Sequence, residues 1–200
     1  MSKINLKQHL EGYGDEVKQV EEEPMDDTDI RDNLGQSVKI LKYSDLSKYK
    51  SITDLLPRKK DYAIILYLDA PNKGHWTCVL RDDCNIYFFC SYGSKVDEPL
   101  TWTDCATRIQ LGASVPFLTR MFNSATSGRL RKGFNIYYNP VKYQNENNDI
   151  NTCGRYCVLL IKQFKKYNHY NLYDFNKYMN TIKKKYGLSY DEIASTLIDE

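Results

Sequence analysis

Gly74-His-Trp-Thr-Cys-Val-Leu-Arg-Asp-Asp-Cys-Asn-Ile-Tyr-Phe-Phe-Cys90 sets two runs rich in aromatic and other apolar residues on either side of a short acidic break. That pattern predicts a β-hairpin. With Asp82-Asp83 as a two-residue loop, Arg81 faces Cys84, and counting back pair by pair sets His75 directly opposite Cys90. Upstream, Asp61-Tyr-Ala-Ile-Ile-Leu-Tyr-Leu-Asp69 is continuously apolar, rich in β-branched and aromatic residues and too short for a core helix. It reads as a strand buried on both faces. Downstream, Gly133-Phe-Asn-Ile-Tyr-Tyr-Asn139 reads as a further strand, and the polar stretch 143–151 as an exposed loop.

Helical periodicity takes over from there. Apolar residues at Tyr156, Cys157, Leu159, Leu160, Ile161 and Phe164 predict a helix over 154–167, buried along one broad face. Two more helices are expected over 172–186 and 190–199, separated by Gly187. Near the beginning, Asp26, Asp27 and Thr28 precede Ile30 and Leu34, with Gly35 as a stop, which reads as a short helix with an acidic first turn. Tyr43 to Tyr49 is a candidate for another. The expected class is α+β, a small mixed sheet packed against a central helix. Residues 1–24 are expected to form a flexible or peripherally docked acidic segment, and 25–200 the folded domain.

With 200 residues, 42% of them hydrophobic, the chain can bury a substantial core. Its longest apolar run, Ala63 to Leu68, is far shorter than the roughly 20 residues of a membrane span, and the first residues carry no apolar signal region. An intracellular, reducing location is expected, in which the six cysteines need no disulfide framework. No Cys-x-x-Cys pair suggests zinc, and no metal or cofactor is expected. The net charge of +2 conceals an asymmetry: residues 1–40 carry ten acidic and five basic side chains, whereas 129–186 carry twelve basic and three acidic. A basic half of that kind is either a solvated lysine surface or an attraction for nucleic acid or an acidic partner.

Two residue settings suggest chemistry. Cys153 stands just ahead of the long helix, where unpaired backbone N–H groups and the positive dipole end favour a thiolate and lower the cysteine pKa. Gly154 beside it would let a substrate approach the backbone closely. His75, on a strand, is the candidate base. Each setting alone is more often structural, a buried cysteine or a packed histidine.

Taken in order, Gly74-His75-Trp76, Phe89-Cys90-Ser91-Tyr92-Gly93 with Asp97-Glu98-Pro99-Leu100, Gln144, and Asn151-Thr152-Cys153-Gly154-Arg155-Tyr156 resemble the adenain-like and ubiquitin-like-protein protease clan of cysteine proteases. The match runs from about Tyr43 to Phe164 and looks most like the capsid-maturation proteases of large DNA viruses, virophages and Polinton-type elements. The resemblance implies that clan's papain-like fold, with Cys153 as nucleophile, His75 as general base, Gln144 donating to the oxyanion beside the Cys153 N–H, and Trp76 packed over the dyad and bordering the substrate.

Two features depart from the clan's pattern. Nine positions separate Gln144 from Cys153, a longer gap than the clan's, so Asn147 or Asn148 is an alternative oxyanion donor. Position 90, where an acidic or amide residue would orient the histidine, is Cys90. A Cys-His dyad, a substitute acceptor such as Ser91 or Asp97, a Cys90 thiolate, and a weakened enzyme all stay open.

The function expected is cleavage of viral capsid or other structural precursors during virion maturation, by a monomeric protein in the host cytoplasm or viral factory that is packaged in the virion. DNA is a further candidate partner, and no membrane association is expected. The alternatives are a deubiquitinase or ubiquitin-like-protein protease of the same fold, and a catalytically silent binding module.

Overall fold

In the computed structural model, residues 14–71, 73–126, 133–147 and 149–198 are described. In chain order they form α1 (Gly14–Glu22), α2 (Asp27–Leu34), β1 (Ile40–Lys42), a 3-10 turn (Tyr43–Lys48), α3 (Ile52–Leu55), β2 (Lys60–Ala70), β3 (Lys73–Asp82) and β4 (Asn85–Cys90). A second 3-10 turn (Glu98–Trp102), α4 (Cys105–Gln110), α5 (Phe117–Thr126), β5 (Asn135–Tyr138), α6 (Cys153–Lys166), α7 (Leu172–Tyr186) and α8 (Tyr190–Leu197) follow. The five strands make one mixed sheet in the order β1-β2-β3-β4-β5, parallel at its two outer pairings and antiparallel in the middle.

Both faces of this sheet are covered, which is why its central strands read as unbroken apolar runs. Ile64, Leu66, Trp76, Cys78, Leu80, Tyr87 and Phe89 turn toward α6, with α2, α7 and α8 completing that layer. Ala63, Ile65, Tyr67, Val79, Ile86, Phe88 and Cys90 turn the other way, against the Tyr43–Lys48 turn, α3 and α5. The expected α+β class holds, with a mixed sheet against the α6 helix. The second helical layer was not expected from the sequence. No helix among the described residues is long and apolar enough to cross a membrane.

The hairpin register differs from the sequence expectation. Its tight connection is Asp83-Cys84 rather than Asp82-Asp83: Asp82 pairs with Asn85 and Thr77, not His75, stands opposite Cys90. The reason is local, because Asp83 takes a left-handed conformation (φ 53°) that a short polar residue tolerates.

The acidic segment, expected to be flexible or peripherally docked, contains α1, and the chain leaving it grips the beginning of α6. The Glu21 carbonyl accepts from the Asn151 N–H and the Glu22 carbonyl from the Asn151 side chain, both at 2.7 Å, while Arg155 donates to the Glu23 carbonyl at 2.5 Å. Residues 1–13 lie outside the described residues.

Candidate active site

Position and pairing bring the candidate nucleophile to the sheet. Cys153 opens α6 and is 7% exposed, its sulfur accepting the Trp76 backbone N–H at 3.5 Å. β4 ends at Cys90, opposite Thr77, so the β3 edge beyond it has no strand partner on that side. The sulfur meets this stretch of β3 at the peptide unit that joins His75 to Trp76.

Strand alternation points His75 to the same face as Cys90, two positions past its facing residue. Such diagonal neighbours are still within side-chain reach. His75 Nε2 lies 3.2 Å from Cys90 Sγ, so the register correction leaves the two side chains in contact. His75 is stacked on Tyr92 (ring centroids 4.8 Å apart, planes at 22°) and meets the edge of Trp102 at 5.2 Å. Trp102 is itself 48% exposed, so it is the solvent-facing member of this aromatic group.

Both substitute acceptors are committed elsewhere. The Asp97 carboxylate accepts from the hydroxyls of Tyr43 (2.7 Å) and Tyr67 (3.1 Å) and from the Thr119 N–H (2.8 Å). The Ser91 hydroxyl donates to Gln144 Oε1 at 2.7 Å. Cys90 is therefore the group that faces the outer nitrogen of His75.

Electrostatics differ from the sequence expectation as well. Burial pushes the Cys153 thiol up to about 12, against the pull of the Trp76 and Gly154 N–H groups, and pushes His75 down to about 3. Desolvation thus outweighs the helix terminus, and the resting pair is a neutral thiol and a neutral imidazole. Burial also pushes Cys90 up to about 11, despite the N–H groups of Ser94 and Tyr92 and the Ser94 side chain acting on its sulfur, so Cys90 is a thiol and not a thiolate at neutral pH. A neutral imidazole is the form able to take a proton. If Nε2–H donates to the Cys90 sulfur, the inner nitrogen is left as the base.

The Gln144 side chain is fixed at both ends, Oε1 by Ser91 and Nε2 by the Ile150 carbonyl at 2.9 Å. One amide hydrogen of Gln144 has no partner among the described residues. Of the alternative donors, Asn147 is exposed and receives the Asp149 N–H at 3.4 Å, and Asn148 lies outside the described residues. Among the described residues no group of three His, Cys, Asp or Glu side chains could hold a metal ion, and all six cysteines are free.

Trp76 and Gly154 take roles other than those expected. Trp76 is only 5% exposed, and its indole N–H donates to the Met25 carbonyl at 2.9 Å. Buried that far, it packs against the start of α6 at Gly154. A Cβ at Gly154 would lie 2.9 Å from Met25 Cβ and 3.2 Å from Trp76 Cδ1, so the glycine admits these two side chains, not a ligand.

Three residues of the site were not singled out from the sequence. Tyr92 lay inside the quoted motif without a role, and Trp102 carried no local signal. Asp191, buried on α8, accepts from the Thr152 hydroxyl (2.6 Å), the Tyr156 hydroxyl (3.1 Å) and the Asn145 N–H (3.0 Å), tying the beginning of α6 to the chain just after Gln144. Its own sequence signal, an acid in the first turn of a helix, is common.

Comparison with known proteins adds one relative and no family model. Uncharacterized protein V9 of Sputnik virophage is 32% identical over 185 residues, which cover 91% of this chain and 98% of that protein. No family model matches the chain.

Proposed function

The chain belongs to the family of protein V9 of Sputnik virophage, and for this virophage-related viral protein we propose the function of a cysteine endopeptidase that cleaves capsid or other structural precursors during virion maturation. The observation that carries the reading is that one end of β3 carries both candidates' contacts: the Cys153 sulfur accepts the Trp76 N–H, and the preceding residue is the buried His75, whose outer nitrogen meets the Cys90 sulfur. The resemblance to the adenain-like clan and its papain-like fold supports it.

Substrate binding displaces water from the Trp102 and Tyr92 wall and brings a peptide carbonyl to the Cys153 sulfur. His75 takes the thiol proton as the sulfur attacks the carbonyl carbon. Because thiol and imidazole are both neutral at rest, this transfer accompanies attack instead of preceding it. The oxyanion is received by the Cys153 backbone N–H and the remaining Gln144 amide hydrogen. The tetrahedral intermediate collapses as the imidazolium protonates the leaving amine, giving a thioester. Water, deprotonated by His75, then hydrolyses the thioester and restores the thiol.

Incubation with the structural precursors of the same virus and with a ubiquitin-like fusion, read by mass spectrometry, tests the reading. The expected result is cleavage of a precursor and not of the fusion, abolished in Cys153→Ala. Cleavage that survives this substitution, or no cleavage together with a Cys153 that resists alkylation, overturns it.

One observation favours a second reading, a weakened enzyme or silent binding module. Cys90 is neutral where a charged acceptor would stabilise imidazolium. Cys90→Asp separates the two. In a working enzyme the carboxylate meets the Ser94 and Tyr92 N–H groups, raises the His75 pKa and keeps or increases kcat. In a silent module it leaves activity at background.

A further inference from the structure

Beyond the far end of β2, a cavity of about 430 Å³ opens between the chain that leads into β1, the beginning of β2 and the last turns of α6. Seven residues of strand separate Lys60 from Tyr67, the partner of His75, so the cavity lies roughly 24 Å from the candidate active site at the usual strand rise. Lys39, Arg58, Lys60 and Lys165 line it, with Tyr62 and the Phe164 ring as its apolar wall, and no carboxylate lines it.

The partners of these cations matter more than their number. Lys39 donates to the Leu55 carbonyl, Lys60 to the Tyr167 carbonyl at 2.6 Å and Lys165 to the Leu34 carbonyl at 3.1 Å. Each ammonium is thereby held in place by a neutral oxygen, which orients it without cancelling its charge, and each has two more hydrogens to give. Lys60 also lies over the Phe164 ring at 4.9 Å, a contact that restricts it further. Among the described residues, Arg58 alone of the four has an acidic partner, Asp61, at 2.6 Å. The neighbouring Lys162 is held below its ordinary pKa first by burial and then by the charge of Lys165. Three tethered, uncompensated ammoniums around one concavity match a ligand with several negative charges on a short chain of oxygens.

We propose that the cavity between Lys39, Arg58, Lys60 and Lys165 binds a compact polyphosphate, the chemistry shared by inorganic polyphosphate and the phosphate tail of a nucleoside triphosphate. The site is independent of the protease reading and stands if that reading fails. The lysines take the phosphate oxygens, and the Phe164 and Tyr62 rings border whatever the phosphate chain carries.

Calorimetric titration of the full chain with tripolyphosphate, with ATP and with a short DNA duplex, each at low and raised salt, tests this. Tripolyphosphate should bind with one-site stoichiometry and weaken as salt rises. Lys60→Gln, Lys165→Gln and their combination should each lower affinity, the pair by at least about tenfold, with melting temperature and circular dichroism checked for each. Lys184→Gln with Lys185→Gln, which removes two equally basic side chains from the last turn of α7, should change nothing. Equal binding of tripolyphosphate and ATP marks the phosphate chain as the whole ligand, and tighter ATP binding marks the nucleotide as the source. The proposal is overturned if tripolyphosphate shows no saturable binding, if the α7 control loses as much affinity as the cavity variants, or if only the duplex binds.

Discussion

α7 begins at Asn171, whose side chain accepts from the N–H groups of Tyr173 and Asp174 while Asp174 reaches back to the Asn171 N–H. α6 begins at Thr152, which makes no such bond: its hydroxyl turns away to Asp191, and the helix start is held instead by carbonyls of residues 21–23 and by Asp191. One helix closes its own N-terminus and the other is positioned from outside with its first turn uncapped. The difference suits the proposed function, since a side-chain cap satisfies the same N–H groups that an oxyanion would need. External support keeps them available at the cost of many long-range contacts.

The largest expected effect tests whether the uncapped terminus is chemical at all. Cys153→Ala should lower kcat/KM for the cleaved precursor by about 10⁴-fold or more, with the melting curve nearly unchanged. A decrease under tenfold would reduce the contrast between the two termini to architecture.

Next comes the pH dependence of stability. The native His75 resists protonation down to about 3, whereas an unfolded histidine takes its proton near 6.5. Between these values the unfolded state binds the extra proton, so stability should fall as pH drops through 6.5 toward 3, with a slope approaching 1.4 kcal/mol per pH unit. His75→Gln should flatten that limb in denaturant titrations. Glu21, raised to about 7 chiefly by burial and then by Asp191, has the opposite sign: its contribution is full below 4.5 and is lost as pH rises toward 7. Glu21→Gln should remove that decline. Retention of both limbs in the two variants would detach the α6 start from the protons assigned to it.

Gly154→Ala should cost about 1–3 kcal/mol through contact with Met25 and Trp76, and Met25→Ala should relieve part of the loss in the double variant. Additivity in that cycle would show that the chain at Met25 does not bear on α6.

The smallest effect belongs to the self-contained terminus. Asn171→Ala should cost about 1 kcal/mol and leave kcat untouched, because it removes a cap that serves only α7. A change in kcat would mean that the two termini are coupled.

The parts of this molecule that could be read from sequence are those whose pattern is set by burial on a simple period. β2 is apolar throughout because both its faces are covered, and α6 shows its stripe because one broad side meets the sheet. The hairpin was readable but not its register, since no glycine marks Asp83 as the left-handed position. α5 carries Phe117, Leu118, Met121, Phe122 and Ala125 at helical spacing, yet Thr, Ser and Asn between them gave it the composition of a loop. In the site, Cys153 and His75 could be named from residue type and order. Trp102 could not, because it reaches His75 only through the 3-10 turn that follows Asp97, whose left-handed backbone (φ 60°) and three side-chain hydrogen bonds are tertiary facts.

The grip on α6 by residues 21–23 has a consequence for the order of events during synthesis. The bonds from Asn151 to Glu22 and from Arg155 to Glu23 close chain separations of 129 and 132 residues. The segment that seats the start of α6 is therefore made well before its partners and must wait for them. Such distant contacts form late, after the loop entropy between them has been overcome by other structure. The Cys153 thiol is brought to the Trp76 N–H only once the chain through the start of α6 has been made. Under the proposed function, a chain that lacks either side of these contacts does not yet hold its nucleophile in place.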